Sequence, residues 1–133
     1  MVLCTTIDKA GEMAERALEF VYTPLFERTR KSLLADDEMK IVEDELLADA
    51  DRGVLMRGTG GVRKLRAAQE NRGKSGSARV VYLHVAERET VYFLVAFGKN
   101  VQGNLTAEQC RMMRQIVAMI REEPWPARKR AWT

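Results

Sequence analysis

The sequence predicts an α+β domain: two N-terminal helices and a C-terminal helix packed on one face of a small antiparallel sheet, in the order β-α-α-β-β-β-α. Three observations carry this. ARVVYLHVA and TVYFLVAFG are runs of β-formers separated only by a polar turn at residues 87–89, which makes them an antiparallel hairpin. DDEMKIVEDELLAD repeats Met39, Val42 and Leu46 at helical spacing, and so do Met112, Met113, Ile116, Val117, Met119 and Ile120 further on. The two kinds of pattern are segregated along the chain, which favours α+β over an alternating α/β sheet.

The elements follow in order. LEFVYT, residues 18–23, alternates like a short first strand. Pro24 suits the first turn of a helix that continues through LFERTRKSLL. Asp36 is placed to cap the second helix, whose first turn is acidic as the helix dipole favours, and Gly53 lies beyond its end. VRKLRA is the next strand, before the hairpin. LTAEQ is a capping box, with Thr106 and Gln109 exchanging hydrogen bonds, and Pro124 stops the last helix. Residues 18–123 form the domain on this reading. Residues 1–17 are an extension, with DKAGEMAERAL read as a short helix or a loose lead, and residues 124–133, PWPARKRAWT, are a basic tail. Tyr22, Phe93 and Phe97 are expected in the core.

A chain of 133 residues can bury an ordinary core without staples. No apolar run is long enough to cross a bilayer, and the N-terminal stretch is too acidic for a secretory signal. Cys4 and Cys110 lack any ligand-like spacing, which points to reduced thiols and a cytoplasmic protein with no cofactor, no metal and no membrane partner.

The net charge of +3 conceals a partition. Residues 1–51 carry 6 Lys/Arg against 13 Asp/Glu, whereas residues 52–100 carry 10 against 3. Between residues 57 and 82 seven cations accompany a single acid, Glu70. Like charges repel, so a cluster of this kind points to an anionic partner.

Strand alternation in VRKLR puts Leu65 on one face and Lys64 with Arg66 on the other. Arg79 stands at the entrance of the next strand, and Lys99 and Asn100 follow the third. The glycines of GKSGSA let backbone approach a ligand and let Lys74 swing over it. A cationic cleft of this kind suits single-stranded RNA. It could also cleave RNA, whose 2′-hydroxyl is a built-in nucleophile: the reaction needs a base, charge stabilisation at phosphorus and a proton for the leaving 5′-oxygen. Neighbouring cations disfavour the ammonium form of a lysine, so a lysine can act as base, and a guanidinium fork matches a phosphorane. Lys64 is the candidate base and Arg79 the candidate stabiliser. The lone histidine, His84, lies on an apolar strand and is read as structural.

GTGGVRKLR, GKSGSARVVY and VAFGKN followed by NLT resemble the HigB-like branch of the RelE superfamily, the toxin halves of bacterial toxin–antitoxin pairs. The similarity spans roughly residues 20–122 and includes ERTRKSLLADDEMKIVEDELLADADRG. The resemblance implies a ribosome-dependent mRNA interferase that cuts the A-site codon by 2′-hydroxyl attack without a metal. It implies catalytic roles for Lys64, Arg66, Arg79, Lys99 and Asn100, with Arg57, Arg63, Arg72 and Lys74 contacting RNA or ribosome. The position after the third strand, an arginine in the RelE type, is Asn100 beside Lys99, as in the HigB-like branch. The tyrosine that some relatives carry near the last helix has no counterpart at residues 104–107. Implied partners are a helix-turn-helix antitoxin, the ribosomal A site with its 16S rRNA, mRNA, and operator DNA through the antitoxin only. A non-catalytic RNA- or ribosome-binding module, a degenerate toxin, and a ParE-like gyrase poison of the same superfold are the other classes open to this sequence. Lys64 and Arg66 on the central strand argue against the last.

Overall fold

A computed structural model describes residues 2–7, 13–68, 77–98 and 106–123. The strands are β1 (Val2–Ile7), β2 (Met13–Tyr22), β3 (Val54–Leu55), β4 (Val62–Ala68), β5 (Ser77–Val85) and β6 (Thr90–Gly98). The helices are α1 (Pro24–Arg30), α2 (Asp36–Ala48) and α3 (Ala107–Glu122). The α+β class and the segregation of helices from the β4–β6 meander match the sequence reading.

Three details of that reading are corrected. The sheet is mixed, in the order β1-β2-β6-β5-β4-β3, because β2 runs parallel to β6, from Glu19 opposite Thr90 to Tyr22 opposite Phe93. A parallel neighbour is natural here, since two helices and the meander intervene and supply the crossover length. Second, the extension is strand at residues 2–7 and 13–17, where a helix or a loose lead was expected. β1 and β2 pair as an antiparallel hairpin, and its ladder outweighs the helix propensity of MAERAL. Third, the helices occupy both faces. β5 and β6 are apolar on both sides, so each side needs cover.

One core lies between the sheet and α1/α2, with Phe26, Leu46, Val80, Tyr82 and Phe93 fully buried. The Phe26 and Phe93 rings stack at 5.0 Å, and Tyr22 meets both edge-on. The other core lies under α3, with Val62, Val81, Leu83, Val85, Tyr92 and Leu94 meeting Met113 and Val117. Between β5 and β6 the register jumps from Val81–Val95 to Tyr82–Phe93. Leu94 is the extra residue of a bulge, so both Leu94 and Val95 turn toward the α3 side.

The helix ends explain where the elements stop. Thr23 caps α1, its hydroxyl accepting from the Phe26 amide at 3.2 Å and donating to the Phe93 carbonyl at 2.8 Å. The α2 cap is Ala35, one residue before the expected Asp36, and Glu38 reaches back to accept from the Ala35 amide at 2.8 Å. The capping box of α3 is present as expected, with both Thr106–Gln109 bonds made. No helix among the described residues is long and apolar enough to cross a membrane.

Candidate functional site

In β4 the side chains of Arg63, Leu65 and Ala67 turn to the α1/α2 side, and those of Val62, Lys64 and Arg66 turn to the α3 side. The antiparallel register then sets Arg66 opposite Arg79, Lys64 opposite Val81 and Val62 opposite Leu83. Arg79 is in turn opposite Phe97, and Val81 opposite Val95. One face therefore carries a row of Arg66, Arg79 and Phe97 across three strands, flanked by the row of Lys64, Val81 and Val95. Directly opposed residues place their Cβ atoms about 5 Å apart. Lys64 and Arg66, two residues apart in one strand, are separated by about 7 Å.

Helix α3 crosses this face near the start of β4 and the end of β5. Cys110 Sγ lies 3.7 Å from the Arg57 carbonyl, and Arg114 donates to the Gly58 carbonyl. A Cβ on Gly60 would sit 3.5 Å from Val117, and one on Gly61 3.7 Å from Leu83. The φ values of these glycines, 85° and 115°, are open to glycine and costly for other residues. At the opposite end of α3, Arg88 is almost fully buried and donates to the carbonyls of Ile120, Arg121 and Glu123 at 2.7, 2.8 and 3.0 Å. A cation at the helix C-terminus satisfies carbonyls that the helix leaves over. All these contacts lie where β4 begins and β5 ends. Arg79 is four residues from Leu83, about 13 Å along the strand.

Arg66 is exposed, and Lys64, Arg79, Val95 and Phe97 are partly exposed. This face thus combines three cations with a partly exposed aromatic ring packed at the margin of the α3-side core. Its floor is fixed from behind. β2 ends at the Phe93 row, and α1 takes over the free edge of β6: Thr29 Oγ1 accepts from the Ala96 amide at 2.9 Å while donating to the carbonyls of its own helix turn.

The remaining expected site residues fall elsewhere. Arg63 is on the α1/α2 side, donating to the carbonyls of Gly53 at 2.8 Å and Asp51 at 3.2 Å and pairing with the Asp51 carboxylate at 3.6 Å. Arg57 is exposed in the turn beside α3, away from the Arg66–Arg79 row. Arg72, Lys74, Lys99 and Asn100 lie outside the described residues. His84 faces the α1/α2 side and meets Asp51 at 3.0 Å, five strand positions from Arg79. This contact, with Arg63 beside it, holds the Asp51 carboxyl below its ordinary value. Buried Tyr82 accepts from the Gly53 amide and donates to the Ala50 carbonyl, both at 2.9 Å, tying the α2–β3 connection to the sheet. Burial pushes its phenol up. No group of three or more metal-ligating side chains gathers among the described residues.

Residues 21–123 match the family model of the RelE toxin of the RelE/RelB toxin–antitoxin system. The chain belongs to the RelE toxin family. Toxins of the RelE family are generally endoribonucleases and pair with an antitoxin. The match begins inside β2 and takes in all three helices, the meander and every cation of the α3-side face. The adjacency of Phe97 to Arg79 was not legible in the sequence. As expected, Phe97 packs against the core, at the margin of the α3-side cluster, and its place opposite Arg79 also puts it on the cationic face.

Proposed function

We propose that this RelE-family chain is a ribosome-dependent mRNA interferase of the HigB-like branch, cutting the A-site codon by 2′-hydroxyl attack without a metal. The observation that carries the reading is the convergence of Lys64, Arg66 and Arg79 on one face that α3 leaves open. Arg66 and Arg79 hold the scissile phosphate and the charge that builds on it, a task suited to guanidinium forks. Lys64, on the neighbouring row, takes the 2′-hydroxyl proton. The 2′-oxygen then bonds to phosphorus, the bond to the 5′-oxygen breaks, and that oxygen leaves with a proton. The products are a 2′,3′-cyclic phosphate and a 5′-hydroxyl. Lys99 and Asn100, which follow β6 in sequence, complete the catalytic set. Arg57, Arg63, Arg72 and Lys74 supply contacts to RNA or ribosome backbone.

Residues 18–123 are the working domain and the cytoplasm its place of action. A helix-turn-helix antitoxin neutralises it by covering or distorting the cationic face and brings operator DNA to the pair. Mapping mRNA ends in expressing cells tests the function: new cuts are expected inside translated reading frames. Equal cutting of untranslated RNA would remove the ribosome from the mechanism. Lys64→Ala with Arg66→Ala should abolish growth arrest while leaving the fold and antitoxin complex intact, and persistent arrest would reject this site.

A further inference from the structure

Phe97 presents a partly exposed ring in a row with two guanidinium groups. Tyr92 is the buried aromatic of this face, under α3. Phe97 packs against the margin of the α3-side core and keeps part of its ring exposed, with Val95 two residues before it and Arg79 one strand spacing away, about 4.8 Å. The bulge at Leu94 fixes this placement by turning Val95 and then Phe97 to the same side as Arg79. Cations that hold a backbone phosphate beside an exposed aromatic are the elements of single-strand recognition: charge takes the phosphate and the ring takes the base.

We infer that Phe97 is a stacking platform for an unpaired nucleobase of the RNA whose phosphate Arg66 and Arg79 hold. The inference rests on the proposed function and adds a base subsite to it. Because the ring offers a face and no hydrogen bonds, it accepts any base, with purines favoured by their larger surface. Codon selection then has to come from groups other than Phe97.

The test uses the full chain and bacterial ribosomes programmed with an mRNA that carries 2-aminopurine at one A-site codon position and a 2′-O-methyl block at the scissile linkage. Wild type should quench the fluorescence at one of the three positions. Phe97→Leu should lose that quench and bind about 5- to 150-fold more weakly, the fold-change that corresponds to about 1–3 kcal/mol of base–aromatic stacking. Phe97→Trp should keep both, and unchanged thermal unfolding separates these effects from misfolding. Three results would overturn the platform: quenching and affinity unchanged in Phe97→Leu, equal loss in Phe97→Trp, or weakened antitoxin binding as the sole effect. If wild type cleaves unblocked mRNA yet quenches at no position, the subsite fails and the proposed function stands. If wild type neither binds nor cleaves on programmed ribosomes, both fail.

Discussion

Arg66 and Arg79 stand directly opposite each other across the β4–β5 ladder, two guanidinium groups on the same side of the sheet. Like charges in opposed positions weaken a strand pair by about 0.2–1 kcal/mol. Arg66→Gln should therefore raise stability by a few tenths of a kcal/mol in low salt, and the gain should fade near 1 M salt, where screening acts over about 3 Å. The same variant should lose mRNA cleavage. Urea melts at two salt concentrations, set beside a cleavage assay, check both halves.

Tyr82→Phe deprives the Gly53 amide and the Ala50 carbonyl of their partner inside the protein. The expected loss is about 1–3 kcal/mol, the cost of stranding buried polar groups. Gly53→Ala should be at least as damaging, because its new methyl would lie 2.8 Å from the Tyr82 ring and 3.0 Å from the Lys64 carbonyl. Equilibrium denaturation measures each.

Thr29 positions the site from behind the sheet. Thr29→Val leaves the Ala96 amide without its acceptor, one residue from Phe97. Cleavage should fall mainly through kcat, with a stability loss of about 1–3 kcal/mol, and Thr29→Ser should restore both. A serine variant as impaired as the valine one would show that the β-methyl matters and the hydroxyl does not.

Asp51 gives a pH signature. Its contact with the His84 ring, helped by Arg63, lowers its carboxyl from an ordinary 3.8, so the stabilisation is complete above about pH 4 and disappears as pH falls through the depressed value. The stability gap between wild type and Asp51→Asn should be flat from pH 6 to 4 and close below that. Because Asp51 is largely exposed, the gap should stay under about 1 kcal/mol. Melts at pH 6, 4 and 3 decide it.

The sequence made the meander and α3 readable because their patterns are local: β-branched runs bounded by a polar turn, and a capping box ahead of a helical repeat. Alternation in VRKLR also separated Lys64 and Arg66 from Leu65 correctly, and His84 meets Asp51 on the face opposite those cations. The register that makes Arg66 and Arg79 neighbours was not readable, since it depends on pairings across segments with no periodic signal of their own. The parallel β2–β6 pairing escaped for the same reason, and MAERAL carries residues that favour a helix until a partner strand claims them. Phe97 packs at the margin of the core as expected, but its place beside Arg79 depends on the β5–β6 register, which local pattern does not carry.

Because α3 follows the meander along the chain, one whole side of the β5–β6 hairpin waits for its cover until residues 107–122 have been made. A message broken or terminated before residue 107 would release chains with Val81, Leu83, Tyr92 and Leu94 bare. Such fragments would be sticky, leaving them to chaperones and proteases.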